Sequence, residues 1–250
     1  MSSLFIAAMS TLPGFVVAWL LSNYFEIEDY TFFLLIQNLT IGLNLSLNFG
    51  LNTFMLRYRA NSILSDAVSD LKIIYGTYLL CTIIVSSFYY IQIFDRSVSS
   101  LGFVATVAVS SMAFLMANNF QQFYIGQGRM NYAHIRFIAG PKILALLLLS
   151  LYFVWSLPFS ENAVWFYFIQ LIFLFSGVRL FLKSGNSIAR AFAIVKAYSH
   201  QWVTFFLHGI YGPLLVVSIY DVDRELVATL GIAILLSQPA RMIYQFSIQA

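Results

Sequence analysis

Thr40, Asn44, Asn48 and Asn52 recur at every fourth position of the stretch LTIGLNLSLNFGLNT, inside a run without formal charge from residue 30 to residue 56. With Gln37 they fall within an arc of about 120° on a helix that turns ~100° per residue. Further along, Ser111, Asn118 and Gln122 share a helical face with Asn119 beside it, and Gln238, Arg241, Gln245 and Gln249 form a third stripe. Each stripe sits in an apolar run. An amide without partners costs about 4–8 kcal/mol in an alkane-like medium, so the stripes must face other helices or water. Interhelical hydrogen bonding is one reading, although such bonds average only ~0.6 kcal/mol. A shared hydrated cavity is the other, and it accounts for the three stripes together.

Cations flank these stripes. Arg57 and Arg59 follow the first one, Lys142 comes just after Pro141, and Arg241 lies within the third. Taken singly, each has an ordinary reading as a cytoplasmic anchor or a snorkelling side chain. As a set they suit a ligand carrying phosphate, to which arginine can fork two hydrogen bonds. Catalytic chemistry has no comparable candidate. The chain contains no HExxH, P-loop, dinucleotide fingerprint or nucleophile elbow. Cys81 is the sole cysteine, which excludes a disulfide and a thiol metal site. His134, His200 and His208 are not grouped at metal-ligand spacing, and the GQG turn at 126–128 reads as a flexible connector. His208, within an apolar run, is a packing histidine or a proton relay. No catalytic residue, cofactor or metal is expected, and the chain does not read as an enzyme.

The elements that hold these residues follow from composition. Apolar residues make up 60% of the 250 and charged residues 9%, with a mean hydropathy of +0.83. A soluble domain carries about 25% charged residues, so this chain cannot cover a water-facing surface. Eight apolar segments, 4–21, 30–56, 73–94, 101–124, 138–155, 164–182, 202–220 and 226–250, are long enough to cross a membrane. The runs are continuous rather than alternating, which favours helices over barrel strands. The expected fold is therefore all-α, a polytopic protein of about eight transmembrane helices. Dense aromatics at segment ends, among them Tyr89, Tyr90 and Trp155, fit an interfacial belt.

Charge sets the orientation. Loops after the second, fourth and sixth segments, with their helix ends, carry ten Lys and Arg against Asp66 and Asp70. The alternate loops are acidic apart from Arg96 and Arg224. The basic side is cytoplasmic, so the N-terminus is expected inside. The net charge of +3 is a sum over two faces of opposite sign and does not point to nucleic acid.

Three domains are expected: a six-helix bundle over 1–182, a basic amphipathic cytoplasmic linker over 183–201, and a first helix pair of a second bundle over 202–250. In the linker, Ile188, Phe192 and Val195 are spaced for one face, suiting the anionic inner leaflet. A short internal repeat supports the boundary: PGFVVAWLLSNYFEIEDY and GPLLVVSIYDVDREL each follow a proline with a Val-Val pair and an acidic turn.

The patterns LSNYFEIEDYTFFLLIQNL, LNFGLNTFMLRYRAN and FYIGQGRMNYAHIRFIAG, with the restart at Trp202, resemble the polysaccharide (O-antigen unit) flippases of the multidrug/oligosaccharidyl-lipid/polysaccharide exporter superfamily. In that family the second helix leaves through a Gly-Leu segment and an arginine near an alanine, here Gly50, Leu51, Arg57 and Ala60. The resemblance implies two six-helix bundles about a cavity that opens alternately to each side of a bacterial inner membrane. Its cargo would be an oligosaccharide unit on undecaprenyl diphosphate, exported for O-antigen or other surface polysaccharide. On that analogy Arg57 and Arg241 would bind the head group, and Asn44, Asn48, Asn52, Asn118 and Gln122 would face the sugar. Partners would be the lipid-linked oligosaccharide, membrane lipids and other membrane proteins of polysaccharide assembly. Family members usually carry twelve or more spans, so the chain resembles a truncated member. Two alternatives remain. A membrane polymerase or ligase of the same pathway would need a larger outer loop. A cation-coupled exporter would favour an intramembrane carboxylate.

Overall fold

A computed structural model of the protein describes residues 3–24, 26–58, 63–93, 100–144, 146–147, 188–209, 211–220 and 222–233. All regular structure among them is helical, as the continuous apolar runs require. In chain order the helices are α1 (Ser3–Tyr24), α2 (Ile27–Leu47), α3 (Leu51–Leu56), α4 (Leu64–Ile93), α5 (Ser100–Gly126) and α6 (Met130–His134). A π-helical turn, Ile135–Ala139, follows, and then α7 (Ile188–Gly209) and α8 (Tyr211–Ile219). A last helix, α9, covers 224–233, with the Asp223 carboxylate accepting from the Leu226 amide at 2.9 Å as its cap.

Among the described residues three helices contain stretches long and apolar enough to cross a membrane: Tyr30–Leu47 in α2, Asp66–Ile91 in α4 and Leu101–Gly126 in α5. They support a membrane protein. The expected segment 164–182, most of 226–250 and half of 138–155 lie outside the described residues, and Arg241 with them.

The second expected segment, 30–56, departs from a single rod. It ends at Leu47 and restarts at Leu51. Phe49 and Gly50 both take left-handed backbone, at φ 49° and 79°, a conformation open to glycine and uncommon for other residues. The Asn48 carbonyl then accepts the Leu51 amide at 2.9 Å, and the Gly50 carbonyl accepts from Thr53 and Phe54. The chain thus turns and re-enters a helix within one apolar run.

Packing around the break explains its position. A Cβ on Gly50 would stand 2.4 Å from the Tyr198 carbonyl oxygen of α7, and one on Gly126 would stand 2.1 Å from the Leu56 carbonyl oxygen. Both glycines let backbones approach where a side chain could not fit. α7 runs unbroken from the basic stretch through Trp202, so the linker's described part and the start of the next expected segment share one helix. Its Ala191 and Ile194 are buried against the bundle, whereas Ile188 and Phe192 on the opposite side are 76% and 70% exposed.

Two apolar clusters stack along the bundle. One joins Val17 and Leu21 of α1, Leu34, Leu35 and Ile36 of α2, Phe103 and Val107 of α5, and Val216 of α8. The other joins Leu51 and Met55 of α3, Leu71, Tyr75 and Tyr78 of α4, and Leu115 and Phe120 of α5. Between them α2 contributes Asn44 and Asn48, and α5 contributes Ser110 and Ser111. The Tyr89 hydroxyl, which donates to the Val217 carbonyl at 2.9 Å, ties α4 to α8. Lys142 lies along α1, where Gly14 leaves room for its side chain.

Gly128 also has positive φ, at 75°, but a Cβ there meets nothing within 4 Å. Gly128→Ala should therefore cost only the left-handed penalty of about 1–2 kcal/mol. Gly50→Ala should lower the thermal midpoint in detergent at least about twice as far, since α7 must also retreat from the break.

Candidate functional site

The amide ladder is used locally first. Asn48 closes α2, and its side-chain oxygen accepts the Asn52 amide proton at 3.3 Å. This gives a first-turn donor of α3 the partner that the interrupted backbone no longer supplies. The Asn48 side-chain amide reaches back toward the Asn44 oxygen at 3.5 Å, the outer limit of a hydrogen bond. Asn44, Asn48 and Asn52 thus form one polar chain through the break. On the α2 side the Trp202 indole donates to the Leu45 carbonyl at 2.6 Å, and its ring lies 5.6 Å from that of Phe49. A carbonyl freed at the end of α2 is thereby satisfied by α7.

One helical turn above Asn48, three helices meet at a buried hydroxyl. Tyr78 of α4 donates to the Ser111 carbonyl of α5 at 3.3 Å. The side chains of Asn44, Thr82 and Ser111 lie against the same hydroxyl. Toward the basic end, the Asn119 amide donates to the Tyr75 hydroxyl at 3.0 Å. These side chains are buried, whereas Asn118 and Gln122 on the neighbouring positions of α5 are half-buried. The α5 stripe therefore divides, with Ser111 and Asn119 in the seam and Asn118 and Gln122 at its edge.

At the basic end stands an ion pair. Arg190 of α7 donates to the Asp70 carboxylate of α4 at 2.5 Å. The Tyr58 hydroxyl donates to the same oxygen at 3.1 Å. Asp70 is 7% exposed and Arg190 is half exposed. Burial first, and the hydrogen bond to Asp70 next, push the Tyr58 phenol up to about 12, so it remains a donor. Arg57 ends α3 nearby in the sequence; it is exposed and forms no ion pair among the described residues.

Of the residues singled out from the sequence, Asn44, Asn48 and Asn52 are brought together. Asn118 and Gln122 share a helix with the buried seam, Arg57 is the exposed C-terminal cap of α3, and Arg241 is outside the described residues. Tyr75, Tyr78, Thr82 and Asp70 were not singled out as site residues. Their signal was present in Tyr75, Tyr78 and Thr82, polar groups three and four positions apart on α4. It was masked because tyrosine reads equally well as an interfacial aromatic.

The arrangement holds neutral polar groups by hydrogen bonds and keeps its one buried carboxylate engaged. No group of three or more potential metal ligands stands together among the described residues. The chain matches no known protein family, no curated protein and no solved structure.

Replacing Arg190 with Ala leaves the Asp70 carboxylate buried with less compensation. A loss of about 1–3 kcal/mol is expected, below the range for fully buried pairs because Arg190 is half in solvent. The exchange Asp70→Arg with Arg190→Asp should recover part of the lost thermal midpoint.

Proposed function

We propose that the protein translocates a lipid-linked oligosaccharide unit across a bacterial inner membrane by alternating access. The observation that carries this reading is the polar face of α2 and α3. It runs through an apolar segment, is interrupted by a helix break, and ends at an exposed arginine. Discontinuous helices with polar breaks are a habit of transporters. The half-buried amides Asn118 and Gln122 offer hydrogen bonds suited to sugar hydroxyls, and Arg57 offers a fork suited to diphosphate. The resemblance to polysaccharide flippases names the cargo, undecaprenyl diphosphate-linked sugar, and the partners, membrane lipids and other proteins of surface polysaccharide assembly. The overall plan on this reading is a six-helix unit, a basic linker and the start of a second unit, with the N-terminus cytoplasmic. Arg241 would join Arg57 at the head group.

A second reading, a cation-coupled exporter, is favoured by Asp70, a buried carboxylate inside the apolar stretch Asp66–Ile91.

The triple variant Asn118→Ala, Gln122→Ala and Arg57→Ala spares the residues that hold the break. In cells it should reduce surface polysaccharide at least about tenfold, a loss of ~1.4 kcal/mol or more of functional interaction, at unchanged membrane abundance. Normal export by this variant would refute the translocator reading. Proton-driven efflux of small cations that vanishes in Asp70→Asn, with polysaccharide untouched, would establish the exporter instead.

A further inference from the structure

Asp70 and Arg190 join α4 to α7, and the pair is asymmetric. The carboxylate is buried, whereas the guanidinium is half exposed. Arg190 and Tyr58 donate to the same oxygen of Asp70, Oδ2, at 2.5 and 3.1 Å. When Arg190 departs, Tyr58 therefore remains to serve that oxygen. Its phenol holds its proton, because burial and then the bond to Asp70 push it up to about 12. A buried carboxylate stripped of its partners is strongly destabilising. One that keeps a donor can exchange its cation at a lower cost.

Tyr58 is also the chain neighbour of Arg57, the exposed cap of α3. A phosphate held by Arg57 brings its charge to the end of the bundle where Arg190 meets Asp70. A guanidinium can fork two hydrogen bonds onto phosphate, and a diphosphate carries more negative charge than one carboxylate. Arg190, half in solvent, can be reached without unpacking the core. The rest of α7 stays attached, since Tyr198 lies against Gly50 and Trp202 holds the Leu45 carbonyl.

We propose that a phosphate-bearing lipid ligand at Arg57 competes with Asp70 for Arg190, so that its arrival unlatches the start of α7 from α4. This rests on the translocator reading and adds the regulation of its head-group site. Without ligand, Asp70 keeps the start of α7 seated. With ligand, Arg190 trades the carboxylate for phosphate while Tyr58 stays on Asp70. The coupling is reciprocal: a change that weakens the latch tightens ligand binding, and one that strengthens it weakens binding.

The test is binding of farnesyl diphosphate to the full chain in nanodiscs of neutral lipid, with farnesol and inorganic pyrophosphate as controls. Asp70→Asn removes the competitor and should tighten binding at least about fivefold. Arg190→Gln should weaken it. Tyr58→Phe, a milder change, leaves Asp70 more dependent on Arg190 and should also weaken it. Weaker binding in Asp70→Asn, as in Arg190→Gln, would show a purely structural pair and overturn the proposal. Spin labels at Ile63→Cys and Phe192→Cys, both exposed positions, in a Cys81→Ser background report the latch directly. Farnesyl diphosphate should lengthen the distance between them, and farnesol should not. An unchanged distance at saturation, or no binding to the unaltered chain, would overturn the proposal. Pyrophosphate acting as strongly as farnesyl diphosphate would assign the site to a free anion and overturn the lipid-borne ligand. If the latch fails these tests while the triple variant still loses export, the translocator reading stands without it.

Discussion

Inside a hydrocarbon layer every backbone donor and acceptor must find its partner within the protein. The same holds in a packed interior, where a helix that stops at Leu47 and restarts at Leu51 leaves backbone groups that others must take over. They do so from two sides. The Asn48 side chain serves the Asn52 amide, and the Trp202 indole serves the Leu45 carbonyl. Gly50 admits the backbone of α7 close enough to cover the gap. The position of α7 against α2 and α3 follows from keeping this break satisfied.

Much of this was legible in the sequence. Composition and continuous apolar runs dictated an all-helical, membrane-type chain, and three described helices meet the length and hydropathy that a crossing needs. The four-residue spacing of Asn44, Asn48 and Asn52 anticipated that they meet, although across a helix break and not on one continuous face. The break itself was not read, although Asn48 and Gly50 are ordinary helix-stop residues. Apolar length outweighed them, because an unbroken run from 30 to 56 spans a bilayer so readily. The polar face of α4 was missed for another reason. Tyr75 and Tyr78 count as apolar by ring and polar by hydroxyl, and only their surroundings decide which property is used.

The burial of Ser111 and Asn119 beside the half-exposure of Asn118 and Gln122 shows how much a single helical step decides. A period of 3.6 residues turns adjacent positions by ~100°, so one stripe in the sequence serves both a packed seam and an open edge. The fold can thus keep amides for cohesion and for recognition on the same helix.

α7 connects the two ends of this system. Arg190, near its start, is held by Asp70, and Trp202, about 18 Å further along a straight helix, is held by Leu45. A rod pinned at two points acts as a lever. Whatever binds its exposed apolar flank at Ile188 and Phe192 applies torque to the interrupted segment at the other pin. An outer surface of the bundle thereby gains mechanical access to its interior.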